Sequence, residues 1–381
     1  MRRFDRLLHL GNVVVDVVLN VPSLPERGGD VLASGTETTT GGGFNVIAAA
    51  ARQGLAVAYA GAHGSGPFAA MARAALSQVH AEVLQQPTAG LDTGFTVSFI
   101  DAAGERTFVT SRGAEATLTC ADLGTVHAGP LDAIYVSGYG LLHPSNQRAL
   151  LSWLRRLDDG NLVFFDPGPL VHLIPAAVLD PVVRRADWCT CNAREAASLT
   201  GEQDPLTAAH SLAQRGGQRD SRGLRDSPGL RDSRGLRDSR GLRDSRGQRD
   251  SPGQRDSPGL RDSPGLRDSP GLQGSPARRD TAAWPGSPVR QGVLVRTGPA
   301  GCLVGHRDSA PVRVPGFTVD AVDTNGAGDT HTGTFIAALA GGADELDAAR
   351  TANAAAALSV TRRGPATAPT AAELTRFLAA N

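Results

Sequence analysis

Residues 323 to 334 read Asp-Thr-Asn-Gly-Ala-Gly-Asp-Thr-His-Thr-Gly-Thr and run into the small, apolar stretch Phe335 to Ala340. A glycine turn, a carboxylate and a helix start coincide there, which is what moving a phosphoryl group onto a hydroxyl requires. The backbone N–H groups of Gly326, Ala327 and Gly328 carry no bulky side chains and can converge on an anion at the helix N-terminus. Asp329 then sits beside that anion. A carboxylate in a first helical turn also has a plainer reading, because it complements the helix dipole and helps to cap the helix. Two further segments bear on the choice. Thr40-Gly-Gly-Gly-Phe-Asn45 is a second glycine turn feeding a second helix, and Asn192-Ala-Arg-Glu195 lies between the two.

The chain contains no lysine, so all 38 basic residues are arginine. A Walker A loop needs Gly-Lys-Ser/Thr and a protein-kinase site needs a strand lysine, so both are excluded. Schiff-base chemistry on a side-chain amine is excluded as well. Phosphoryl transfer here must rely on backbone amides, arginine or a metal ion. The 381 residues carry a balanced formal charge and no 18-residue apolar run, the profile of a soluble globular protein without a membrane partner. Asp5, Asn12 and Asp16 interrupt every candidate signal-peptide core, and a cytoplasmic location is expected. Four cysteines are too few for a disulfide framework in a chain of this length. Cys189 and Cys191 lack a second pair at metal-binding spacing and are expected to face opposite sides of a buried strand end. Cys120 and Cys302 read as small core or near-surface residues.

The elements that must position these residues follow from periodicity. Leu131 to Val136, Leu162 to Phe165 and Val293 to Val295 are short apolar runs bounded by turn residues, and read as buried parallel strands. Helical patterns alternate with them at Asn45 to Gln53, Pro67 to Val79, Asn146 to Leu157, Gly328 to Leu339, Leu346 to Leu358 and Ala371 to Leu378. The alternation argues for a doubly wound, mostly parallel α/β sheet flanked by helices. In such a sheet Asp166, Asn192 and Arg296, each ending a strand-like run, should face one crevice. Ala103-Gly104 marks a hairpin between Thr96 to Ile100 and Arg106 to Thr110.

From Arg219 to Leu272 the chain repeats Arg-Asp-Ser-Pro/Arg-Gly-Leu/Gln nine times. One Leu or Gln per copy cannot build a core, and recurring Pro-Gly disfavours a stacked β-helix, so residues 216–289 are expected to be a disordered insert. Residues 216–280 hold 15 arginines and 10 aspartates. The alternating aspartates cancel much of the positive field and the repeats lack aromatics, which argues for a solvated spacer over a nucleic-acid contact. Without residues 216–289, 307 residues remain, a length that suits one domain over 1–215 and 290–381.

The two glycine turns with Asn192-Ala-Arg-Glu195 between them, in this order, resemble the PfkB (ribokinase-like) family of carbohydrate and nucleoside kinases. The resemblance extends to Gly11-Asn-Val-Val-Val-Asp16, Asp101-Ala-Ala-Gly-Glu-Arg-Thr107, Phe165-Asp-Pro167, Arg296-Thr-Gly-Pro-Ala-Gly301 and Ala352 to Gly364. It implies a ribokinase-like fold with a small β lid, roughly residues 12–40 and 94–112, whose edges suit pairing in a homodimer. It implies ATP-dependent phosphorylation with Asp329 as base, the amides of Gly326 to Gly328 as anion hole, and Asp16, Gly42, Gly43, Asn45 and Asn12 aligning substrate hydroxyls. Asn192 and Glu195 match the family's N-x-x-E, which implies organising Mg²⁺ through water; the same residues also fit a helix capping box. Thr297, Gly298, Gly301 and Asn353 would shape the nucleotide pocket, although the glycines also suit plain turns. Asp323, with the backbone of Arg362 to Gly364, corresponds to the K⁺ site of some relatives. Thr40 replaces the first glycine of the family turn, and His331 stands where relatives often carry phenylalanine, read here as a packed residue. Three functions stay open: sugar kinase, favoured by the scarcity of aromatics near the lid; nucleoside kinase; and a non-catalytic sugar-binding regulator.

Overall fold

The computed structural model describes residues 3–103, 105–215 and 292–381. The expected disordered insert at 216–289 lies outside the described residues, as does Gly104 in the hairpin turn. β1 (Arg6–His9), β2 (Val13–Asn20), β3 (Gly35–Gly42) and α1 (Gly43–Arg52) are followed by β4 (Ala56–Tyr59), α2 (Pro67–Gln78) and the short β5 (Glu82–Val83). β6 (Phe95–Ile100) and β7 (Arg106–Ser111) precede α3 (Cys120–Gly124), β8 (Asp132–Ser137), α4 (Pro144–Arg156), β9 (Val163–Asp166) and α5 (Ala176–Arg185). Next come β10 (Trp188–Asn192), α6 (Ala193–Thr200) and α7 (Pro205–Arg215), then β11 (Gly292–Arg296), β12 (Cys302–His306) and β13 (Ser309–Val314), and last α8 (Ala327–Ala340), α9 (Glu345–Val360) and α10 (Ala371–Ala380).

The main sheet has the order β13-β12-β11-β10-β9-β8-β1-β4-β5, parallel except for the antiparallel edge pair β12 and β13. Every residue of β8 and β9 is buried, as befits strands covered on both faces. Alternate residues serve the two sides. Ile134 and Val136 pack with α4 and α5, whereas Ala133 and Tyr135 pack with α1 and α8. The same rule corrects one expectation. Cys189 and Cys191 are two residues apart on β10, so they share a face, and both enter the core that α4 and α5 cover. The helix α5 was not anticipated, because Pro181 stands inside it and masks its period.

The chain leaves β1 toward β4 on one side and returns as β8 on the other, so the strand order reverses at β1. His9, Ser137, Asp166, Asn192 and Arg296 end their strands along one edge of the sheet, where ligands of doubly wound folds bind. Over that edge lies a second sheet, β3-β2-β6-β7. The anticipated hairpin is β6–β7, with Thr96 opposite Thr110, and β2 joins β6 in parallel. No helix among the described residues is long and apolar enough to cross a membrane.

Candidate functional site

The site is assembled by a close helix crossing. α1 and α8 approach so tightly that a Cβ on Gly333 would fall 2.4 Å from the Val46 carbonyl oxygen and 2.8 Å from the Ala49 methyl. This brings Asn45, near the start of α1, to Asp329, one turn before Gly333 on α8. Asn45 Nδ2 donates to Asp329 Oδ2 at 3.0 Å. Gly333→Ala, ordinarily favourable within a helix, should therefore lower stability by about 1–3 kcal/mol through overpacking, read as a lower midpoint in urea.

The turn ahead of α8 needs its glycine. Gly326 has φ 72°, and a Cβ there would lie 2.2 Å from the Pro365 carbonyl oxygen. The amide of Ala327 is engaged weakly, to the Thr324 carbonyl at 3.4 Å. Upstream, the amides of Val322 and Asp323 both donate to the carbonyl of Val360, which straps the segment to the end of α9. The Asp323 carboxylate accepts from the amides of Asn325 at 2.8 Å and Gly364 at 3.1 Å and pairs with Arg106 of the lid. Burial would raise its pKa, but these donors hold it below the usual aspartate value.

On the lid side, Asp16 packs against Gly41, whose absent Cβ would sit 2.0 Å from Asp16 Oδ2. Burial pushes the Asp16 carboxyl up to about 6. Gly42 caps α1 with φ 60°, and Asn12 accepts from the amide of Gly43 through its backbone carbonyl at 2.7 Å. The space beneath Gly43 belongs to His9, whose Cε1 would lie 2.4 Å from a Cβ there. Gly43 thus spends its amide and its open side on the protein. Asn12, Asp16, Gly42, Gly43 and Asn45 nevertheless meet around one turn.

Between the two glycine turns lies a charge cluster. Arg296, with a side chain only 13% exposed, places Nη2 3.2 Å from Asp166 Oδ2 and 3.6 Å from Glu195 Oε2. Its Nη1 donates to Thr332 Oγ1 at 2.8 Å, and Gly328 leaves room for the guanidinium, whose Nε would stand 3.4 Å from a Cβ at that position. Asn192 and Glu195 form the reciprocal capping box of α6, at 2.8 and 2.9 Å, so the helix-capping reading of this pair is realised. Burial, with the negative charge of Asp166 added to it, pushes the Glu195 carboxyl up to about 7. Asp329 remains accessible at the cleft but is surrounded by protein; burial pushes it up to about 6, with Asp166 and Asp16 adding and Asn45 and Arg296 opposing.

The residues expected to shape a nucleotide pocket are held differently. Thr297 closes its turn on the Gly301 carbonyl through both its amide and its hydroxyl, at 2.8 and 3.0 Å. Gly301, with φ 96°, lets the chain after β13 approach; a Cβ there would meet the Val314 oxygen at 2.2 Å. Gly298, with φ 67°, faces open space. Asn353 is buried, donates to the carbonyls of Val314 and Pro315, and accepts from His331 Nε2 at 2.9 Å. His331 is indeed a packed residue, and burial lowers its pKa to about 3.

Arg296 and Asp166 were legible only as strand ends, and Gly41 only as one glycine of three. The one advance signal was the missing lysine, which left arginine as the sole side-chain cation for such a cluster. A groove of about 780 Å³ between β3 and the helices α1 and α2 is lined by Thr38, Phe44, Arg52 and Met71 and by none of these carboxylates, so the chemistry is located by the cluster and not by that cavity.

The sequence profile described as "pfkB family carbohydrate kinase" matches residues 5–222 and 274–372. The uncharacterized sugar kinase YegV of Escherichia coli K12 is 26% identical over 366 residues, covering 96% of this chain and 91% of that protein. Among solved structures, the Arabidopsis thaliana ribokinase complexed with ribose and ATP shares the fold at a TM-score of 0.66 and 18% identity, covering 98% of this chain and 99% of that one. The nucleoside kinase of Methanocaldococcus jannaschii does so at 0.67 and 13%, with both chains fully covered. With the profile spanning both glycine turns and the segment between them, this chain belongs to the PfkB family of carbohydrate kinases.

Proposed function

We propose that the protein catalyses ATP-dependent phosphorylation of a hydroxyl on a sugar or sugar-like substrate. The observation that carries this reading is the Asn45–Asp329 hydrogen bond at the start of α8, which joins a carboxylate raised to about 6 to the glycine turn. A base with that pKa is stronger than an ordinary aspartate and is still ionised at neutral pH. With Oδ2 held by Asn45, Oδ1 takes the proton of the attacking hydroxyl. The amides of Gly326, Ala327 and Gly328 stabilise charge on the transferring group. Asp16, with Asn45, Gly42 and Asn12, aligns vicinal hydroxyls, because a carboxylate accepts and a carboxamide both donates and accepts, while Gly43 serves only to shape the turn.

ATP, when bound, supplies the phosphoryl group, and Mg²⁺ screens its charge. The residues suit both. Asp166, Glu195 and Asp329 surround the guanidinium of Arg296, and Asp16 adds its charge beside Asp329, so the cleft holds an excess of carboxylates whose repulsion a divalent cation would relieve. Mg²⁺ keeps several of its waters and binds mainly to phosphates, so Glu195 and Asn192 would meet it through water. Thr297, Gly298, Gly301 and Asn353 shape the nucleotide side. The edge strand β7 exposes Phe108 and Val109, which suits lid-to-lid pairing in a homodimer.

A second reading, a nucleoside kinase, draws on the match to the Methanocaldococcus jannaschii enzyme and on Tyr139, which is 42% exposed near the carboxylates and offers a face for a base to stack on. The test is ADP release by the purified chain with Mg-ATP against hexoses, pentoses, sugar acids and nucleosides. Turnover on a sugar is expected, with kcat/KM falling as pH drops through about 6, where the Asp329 carboxyl takes up its proton. Turnover on nucleosides alone would select the second reading. Binding of a sugar without turnover on any compound would select a non-catalytic regulator.

A further inference from the structure

The Asp323 carboxylate, which the family resemblance assigns to a K⁺ site, already holds a cation of the protein's own. Its side chain is 14% exposed and takes the Arg106 guanidinium and the Asn325 amide on Oδ1, and the Gly364 amide on Oδ2. Several carbonyls nearby are also engaged. Val360 accepts from the amides of Val322 and Asp323, Ser359 from the Arg362 amide and the Thr367 hydroxyl, and Gly364 from that same hydroxyl. A dehydrated K⁺ needs several such oxygens at once and would be repelled by the guanidinium beside it. The donor set therefore does not fit a monovalent cation.

Arg106 reaches Asp323 from another layer of the molecule. It is the first residue of β7, opposite Ile100 in the lid hairpin, and 217 positions separate the partners. Asp323 in turn orders the Asn325 amide immediately before Gly326, the residue that opens the turn at α8. One ion pair thus connects the seating of the lid to the shape of the turn.

We infer that Arg106 is a positioning residue that supplies, from the lid, the positive charge a monovalent cation would otherwise provide at Asp323, so that phosphoryl transfer proceeds without K⁺ and the Gly326–Gly328 turn is set by the seated lid. This rests on the reading of that turn as the anion hole.

The experiment compares wild type, Arg106→Met and Arg106→Lys in KCl and in tetramethylammonium chloride at equal ionic strength, which keeps general screening constant. Wild-type kcat is expected to change by less than about twofold between the salts. Arg106→Met is expected to lose about tenfold to a hundredfold in kcat in tetramethylammonium, as misplacement of a reacting group does, and to recover part of it in KCl, while Arg106→Lys keeps its indifference to the salt. Melting of the ligand-free proteins gives a second readout: K⁺ should raise the Tm of Arg106→Met and leave that of wild type unmoved. A wild-type kcat that collapses without K⁺, a wild-type Tm that rises specifically with K⁺, or an Arg106→Met protein fully active in tetramethylammonium would each overturn the inference. Absence of turnover in every salt would defeat the kinase reading instead, and the ligand-free melting would still decide the cation question. Should Arg106→Met not fold, the two wild-type comparisons decide it alone.

Discussion

Asp329→Asn is expected to lower kcat by about 10²–10⁴, the range for removing a general base, with the protein folded and no less stable than wild type. The amide keeps the shape of the carboxylate and can still accept from Asn45, which lies 3.0 Å from Oδ2, so the α1–α8 contact survives. The stability expectation follows from the raised pKa. Folding moves the Asp329 carboxyl from the ordinary 3.8 up to about 6, chiefly by burial, so the folded protein binds more protons than the unfolded chain between those values. Wild-type stability therefore declines as pH rises through that window, and a neutral Asn escapes the decline. The Tm of the variant relative to wild type should rise from pH 4 toward pH 7, about the span in which the carboxylate ionises. Melting curves across this range beside steady-state kinetics test both halves. Lost activity accompanied by lost stability would show that Asp329 acts mainly as a helix-capping residue, the plainer reading of a carboxylate in a first turn.

Arg296→Met is expected to cost about 3–5 kcal/mol at pH 7.5, because it removes the cation and leaves two carboxylates buried against each other. Met is close in length to the arginine stem, so the loss isolates the charge from the packing. Glu195 is raised to about 7 by burial and by the negative charge of Asp166, and Arg296 opposes that rise. Without the guanidinium its carboxyl moves higher still, and the Asp329 carboxyl, which Arg296 also holds down, moves with it. The sign is then fixed. Carboxyls with folded pKa values above their unfolded values favour the folded state at low pH, so the deficit of the variant should shrink as pH falls from above 7 toward about 6, the wild-type folded values of Glu195 and Asp329. Urea unfolding at pH 7.5 and 5.5 measures this. An equal loss at both values would attribute the effect to packing. If the variant turns over substrate, the acid limb of its kcat/KM profile should lie above that of wild type.

Both expectations concern contacts that local pattern could only partly announce. The alternation of β-branched runs with helical periods carries the fold class, since strands buried on both faces and amphipathic helices have few ways to pack. α8 was legible for the same local reasons: glycines ahead of a small apolar run, with a carboxylate in the first turn. α5 was not, because Pro181 breaks the helical period while tertiary packing of Val182 and Val183 restores the helix. The facing of Cys189 and Cys191 was misread, although the two-residue period of a strand contained the answer.

The sequence by itself determined which groups are available: a carboxylate at a glycine turn, a second turn ending in Asn45, a reciprocal Asn192–Glu195 cap, and arginine as the only strong side-chain cation. Only the tertiary structure decided their partners. Asn45 meets Asp329 across 284 residues because Gly333 lets two helices touch, Arg296 meets Asp166 across 130 because their strands end at one sheet edge, and Arg106 meets Asp323 across 217 because the lid folds over that edge. Propensity and period act over one or two turns of chain. Electrostatic pairing and close packing depend on distance in space, which the closure of the sheet and its helices sets.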